Sequence, residues 1–364
     1  MVAVDGIMSF VPLRGRCGHY SFGCSRSCRI VASFLLVVWP GHSAILERKC
    51  DFVEAGVCRI SKTKTSAEDS FGFQLTFEGD VVIERGVKLD FRNRLVIQAT
   101  GKVTFEANSK ARARVVQVVG TRIELNSQVE LQAQAVNLFG YQGNCKSIAI
   151  PGEDVRIFAR SFLEVKCPEG LLLLDGAGST LESGTTRPHC ARPDIGLDFD
   201  FVFIGGSAIF GPKFEVNASL VRMEMTGNLT MAAKAKIGAR LYMKAGSNLH
   251  MGDPAGDDPT TWKICRLRAS AQNVFVETGH GIWTEHSSID WNREVENKDL
   301  CASNILNEAS RDILSFRQYT EYQSRPIMFD VMVVAQEDIH IAEGSRLLAA
   351  ALLLCARDKG HVGM

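Results

Sequence analysis

The 364-residue sequence predicts an all-β chain wound as a parallel β-solenoid. Three features carry that expectation: apolar and polar residues alternate in short runs, the runs recur about every twenty residues, and most copies close on a glycine. At a shift of 20, Val103 falls on Ile123, Phe105 on Leu125, Ala111 on Leu131, Val116 on Val136, Val118 on Leu138 and Gly120 on Gly140. Polar residues such as Thr104, Gln117, Glu124 and Asn137 lie between them, the period of a strand with one buried side. The pattern returns where Leu229 and Met231 fall on Leu249 and Met251, and looser copies end at Gly279 and Gly344.

No copy is long enough to close a core alone. Three short strands per copy, joined by turns, make one coil, and stacked coils pair in parallel about 4.8 Å apart. Six aliphatic side chains per coil contribute on the order of 10 kcal/mol before chain entropy is subtracted. Small inward residues (Ala111, Ala113, Ala133) suit tight corners, and the closing glycines are expected to supply the backbone angles of a sharp turn. Coils of 19 to 22 residues exceed three hexapeptides, the turn of the left-handed type, so the expected hand is right. An antiparallel sandwich with evenly spaced strands is the competing architecture.

Hydrophobic residues make up 46% and charged residues 23% of the chain, which excludes collagen, a coiled coil and wholesale disorder. Basic and acidic residues balance at 41 each, so charge gives no case for a nucleic-acid partner. Arg14, Arg16, Arg26 and Arg29 precede an apolar run from Ile30 to Trp39, then Pro40-Gly41-His42-Ser43-Ala44. Basic flank, short apolar core and a small residue describe a secretory signal over residues 1–44, with an uncleaved anchor and a core segment as alternatives. The run is too short to cross a bilayer, and no other stretch is expected to span one. Cleavage near Ala44 leaves Cys50, Cys58, Cys145, Cys167, Cys190, Cys265, Cys301 and Cys355, an even set that suggests disulfides. Cys50 and Cys58 are the easiest pair to propose, in a cap segment over residues 45–72. No Cys-x-x-Cys occurs, which argues against zinc, and nothing calls for a cofactor.

The solenoid is expected over residues 73–283 and again over 327–364. Between them, residues 284–326 read as a partly helical insertion. Leu300, Ile305, Leu306, Ala309, Ile313 and Leu314 space out a helix near Lys298–Phe316 that packs on a solenoid face. After Leu352-Leu353-Leu354 and Cys355 no amphipathic cap follows, so the open end is expected to associate with a partner or to belong to a truncated product.

Such coils resemble the parallel β-helix proteins of the pectin-lyase-like superfamily, and the β-helical regions of large secreted adhesins, over about residues 73–357. Within that superfamily, polygalacturonases carry an Asp-Asp pair, then Gly-His-Gly about one coil later, then Arg-x-Lys. Here Asp257-Asp258 precedes Gly279-His280-Gly281 by that interval. The resemblance implies paired carboxylates that protonate a glycosidic oxygen and activate water, tuned by His280. The family's earlier Asn-Thr-Asp is replaced by Lys234-Ala235-Lys236-Ile237, and its Arg-x-Lys by Arg311-Asp312-Ile313. With two of four elements missing, Asp257, Asp258 and His280 stand against a plain acidic turn and a glycine corner.

Other residues suit recognition without turnover. Trp262, Trp283 and Trp291 cluster in sequence near His250, His280 and His286; exposed indoles stack on sugar rings, and buried ones pack under insertions. Arg92, Arg94, Arg112 and Arg114 are spaced in pairs 20 apart, so they are expected to stack as a basic ladder for an anionic glycan or lipid head group, or to form a plain solvated face. Asp198 and Asp200 alternate with Leu197, Phe199 and Phe201 as on a strand with one wet side. Asn217-Ala218-Ser219 and Asn228-Leu229-Thr230 are glycosylation sequons. The expected protein is a secreted or cell-surface solenoid with a structural or adhesive role, presenting loops and ladders to a glycan or protein partner. The alternative is a polygalacturonase-like hydrolase.

Overall fold

The computed structural model describes residues 50–66, 72–185, 199–236, 238–257, 260–284, 331–349, 352–356 and 362–363. The signal over residues 1–44, the helix near Lys298–Phe316, and the candidates Asp258 and Trp291 lie outside the described residues. Among the described residues all regular structure is strand, wound in about ten stacked turns.

Each turn gives one strand to each of three faces. The first face runs from Phe73–Phe77 through Arg94–Ala99 and Val115–Gly120 to Val331–Ala335 and Leu352–Ala356. The second runs from Val57–Ile60 through Asp80–Ile83 and Lys102–Phe105 to Ile339–Ile341 and Val362–Gly363. The third runs from Lys64–Ser66 through Lys88–Phe91 and Lys110–Arg112 to Gly281–Thr284 and Arg346–Leu348. Neighbours within a face pair in parallel, which rules out the antiparallel sandwich. The repeat sets the register: Val103 pairs with Ile123, Phe105 with Leu125, Ala111 with Leu131, Val116 with Val136, and Leu229 with Leu249.

Alternation then sorts the side chains. Inward residues are almost wholly buried, and the largest (Phe105, Phe201, Phe203, Phe210, Phe214 and Trp262) fill the middle of the tube. Phe203 meets Phe210 edge to face at 5.1 Å and Phe201 at 6.4 Å, the arrangement that ring quadrupoles favour.

The closing glycines of the tighter copies act differently from the expectation. Gly120, Gly140 and Gly246 are not in the left-handed region. They are needed because coils touch there: a Cβ at Gly246 would fall on the carbonyl oxygen of Thr226, and one at Gly140 on the Cβ of Cys145. At these three, close approach rather than turn geometry selects glycine, whereas Gly279 and Gly344 have the left-handed backbone of a sharp turn that was expected.

The first turn is fastened by three devices. Strand Phe52–Glu54 folds back antiparallel on Val57–Ile60. The expected Cys50–Cys58 disulfide joins the base of that hairpin. Asp51 accepts the N–H groups of Ser61 and Lys62 and binds the Lys64 ammonium at 2.8 Å. Burial alone would raise the Asp51 pKa, but the Lys64 hydrogen bond and those backbone donors together hold it below the usual value. A second disulfide joins Cys145 to Cys167, and Cys265 and Cys355 are disulfide-bonded as well. All the cysteines among the described residues are therefore oxidised.

The long interruptions leave the register intact. Thr180 pairs with Glu215, and Leu267 with Val331, across segments 186–198 and 285–330 respectively. Both segments depart after a third-face strand and return before a first-face strand.

If interior packing holds the coils together, Phe203→Ala should cost about 3–5 kcal/mol, while Trp283→Ala, on the outer surface, should cost less than about 1 kcal/mol. Denaturant unfolding of the two variants checks the difference.

Candidate ligand-binding face

Parity on the third face decides which candidates reach solvent. Along Thr261–Ile264, Trp262 and Ile264 point inward, so Thr261 and Lys263 point out. The next rung places Gly281 on Thr261 and Trp283 on Lys263, and the rung after it places Arg346 on Gly281 and Leu348 on Trp283. The preceding rung carries Lys234, paired with Glu215, and Lys236; it adjoins this stack through the Gly238 N–H bond to the Lys263 carbonyl. Trp283 is 37% exposed and Leu348 45%, with the Lys263 ammonium 5.9 Å from the indole centroid. A flat aromatic surface thus lies between a cation and an aliphatic side chain.

Trp262 cannot present its ring to a ligand. It is fully buried, donates its indole N–H to the Ala233 carbonyl at 3.0 Å, and meets His280 edge to face at 4.4 Å. His280 is 1% exposed, with Nδ1 3.1 Å from the Thr260 hydroxyl and Nε2 without a hydrogen-bond partner among the described residues. Burial lowers its pKa to about 4, only partly opposed by a hydrogen bond involving Thr260. Asp257 lies exposed in the turn before this strand, and no hydrogen bond or ion pair joins it to His280 among the described residues. Of the three candidates that imply hydrolysis, Asp257 is therefore a solvated carboxylate and His280 an interior imidazole, and Asp258 lies outside the described residues.

The arginine pairs do not stack as expected, because the turn there is longer than 20 residues. Arg112 lies between Asp90 and Gln132, while Arg94 pairs with Val115. Arg94 donates to Gln117 and Arg114 to Gln134. Asp200 is likewise not on a wet side: its buried carboxylate accepts the N–H groups of Ser219 and Leu220, both at 3.0 Å.

At the sequons, Asn217 is half-buried and Asn228 exposed. Asn228 begins an amide ladder that the sequence reading missed. Its Oδ1 accepts the Asn248 N–H, Asn248 accepts from Asn273 Nδ2, and Asn273 accepts the Asp338 N–H. Beside it His250, Phe275 and His340 stack almost parallel, with centroids 4.7 and 5.0 Å apart, and His250 Nδ1 meets Glu277 at 2.6 Å. The signal for both ladders was the shift between Asn248-Leu-His250 and Asn273-Val-Phe275, which the long interruption before Asp338 obscured. No group of His, Cys, Asp and Glu among the described residues could hold a metal ion. No protein-family model, curated protein or solved structure matches the chain.

His280 makes folding sensitive to acid. The unfolded chain takes up a proton near pH 6.5 that the folded protein refuses until about pH 4. Stability contributed by the neutral ring is therefore intact above pH 6.5 and falls by up to roughly 3 kcal/mol as the pH drops through that window. His280→Gln should flatten the wild-type decline between pH 6.5 and 4, as read by denaturant midpoints.

Proposed function

We infer that the protein is a secreted or cell-surface β-solenoid whose outer ladders form a binding surface for a glycan or protein partner, and that it is not a hydrolase. The observation that carries this reading is the half-open indole of Trp283 on a flat outer face, between Lys263 and Leu348. An exposed indole offers a large apolar face at little conformational cost, which suits a sugar ring or an aromatic side chain. The alternative enzyme loses support because His280 is interior and tied to Thr260, while Asp257 is a solvated turn residue. The group expected to tune the carboxylates is thus inside the wall, with no hydrogen bond to Asp257 among the described residues.

The cysteines support the compartment. Oxidation of Cys50, Cys58, Cys145, Cys167, Cys265 and Cys355 fits an oxidising environment, which the signal-like amino terminus would supply. Exposed Asn228 is then the better placed of the two sequons for a glycan.

Two measurements test the reading. Trp283→Ala should weaken binding on a glycan array or to a captured surface partner while leaving the melting temperature within a few degrees; undiminished binding would remove Trp283 from the surface. Incubation with acidic polysaccharides should release no reducing ends or unsaturated products. Turnover that Asp257→Asn eliminates would restore the enzyme.

A further inference from the structure

Charge is unevenly compensated along the third face. Near the amino-terminal end the Lys110 ammonium is bound by Glu130 on the next rung at 2.6 Å. Four rungs toward the other end carry Lys234 and Lys236, then Lys263, then Trp283, then Arg346, and none of these cations forms an ion pair with a described residue. Lys234, Lys263 and Arg346 are exposed, and Lys236 is half-buried. The nearby carboxylates Asp253, Asp257, Glu277 and Glu343 sit in the corners before the strands rather than on the face, and Glu277 is occupied by His250. Glu215, paired in register with Lys234, marks where the stripe ends.

Resting on the glycan reading of Trp283, we propose that this stripe binds an anionic polysaccharide laid along the solenoid axis. Parallel rungs about 4.8 Å apart spread the cations over roughly 14 Å, a line rather than a point. Such a line matches a ligand that carries sulfate or carboxylate groups at intervals along a chain. The lysine ammoniums supply compact charges, and the Arg346 guanidinium can grip two oxygens of one group side by side. Between them Trp283 takes the apolar face of a ring. Beside the indole, Gly281 is covered by the Thr261 side chain, which would lie 3.0 Å from a Cβ there, and Arg346 stands over it on the next rung. Both parts of the ligand, charged groups and apolar ring faces, therefore find complementary groups on one surface.

The test uses the full chain with three soluble probes: a sulfated polysaccharide, a polyuronide and a neutral polysaccharide, titrated calorimetrically. At least one anionic probe should bind, with affinity falling at least tenfold between ionic strengths of about 0.05 and 0.5 M. The double variant Lys263→Gln/Arg346→Gln should weaken it at least tenfold, Trp283→Ala should weaken it too, and Lys110→Gln should leave it unchanged. Preference between the sulfated and carboxylated probes identifies the anionic group, and either preference supports the proposal. Equal binding of the neutral probe, or an unchanged double variant, overturns the anionic ligand and leaves a glycan partner standing. Failure of all three probes with wild-type protein overturns the glycan partner itself.

Discussion

Rung-to-rung backbone hydrogen bonding in parallel register is the constraint on which the rest depends. It places each side chain over its counterpart one turn away, so every chemical choice is repeated along the axis. Inside, repetition is an advantage, since aliphatic on aliphatic fills space without voids. Outside, repetition of one charge is a cost, and the chain answers it by placing Glu130 over Lys110, and by reaching diagonally from Lys102, which lies under Arg122, to Glu124. Where the answer is an amide or a ring, the same register gives the Asn228–Asn248–Asn273 ladder and the His250–Phe275–His340 stack. On the third face near Trp283, exposed cations recur from Lys263 to Arg346 with no carboxylate in register between them among the described residues, which is why it stands out as a surface for something external.

The repeat was legible in the sequence because its period survives where coils are shortest. The pairs from Val103 to Gly140 needed no gap, and they pair in the structure as the shift implied. Where corners lengthen, a fixed shift misplaces neighbours: Arg112 meets Asp90 instead of an arginine because that turn is 22 residues, as Lys102 N–H bonding back to Asp80 also reflects. The closing glycines were found for a reason that holds at Gly279 and Gly344 but not at Gly140 and Gly246. Sequence shows that glycine recurs; only coordinates show that Thr226 and Cys145 occupy the space a side chain would need.

The candidate site was half legible. Trp283 could be singled out as one of three clustered tryptophans, but its parity could not, and the same reasoning gave equal weight to Trp262, which points inward. A spacing of one coil between acidic and histidine residues likewise says nothing about which side of the wall each occupies. Lys263 meets Trp283 at the plain 20-residue shift, but Arg346 and Leu348 reach the next rung only across the 285–330 segment, so no local pattern could join them to it. Lys234 and Lys236 entered the sequence reading only as the residues standing where a catalytic motif was missing. They now form one end of the proposed stripe.

The corner from which segments 186–198 and 285–330 depart has an evolutionary consequence. Gln272 reaches Glu337 across 65 residues, yet the two occupy adjacent turns. Lengthening such an excursion raises the entropy of closure only logarithmically, by about 0.6 kcal/mol for each doubling. Whatever is spliced into that corner leaves the wall on either side unaltered. The scaffold can therefore exchange appended modules there, generation after generation, without renegotiating its core.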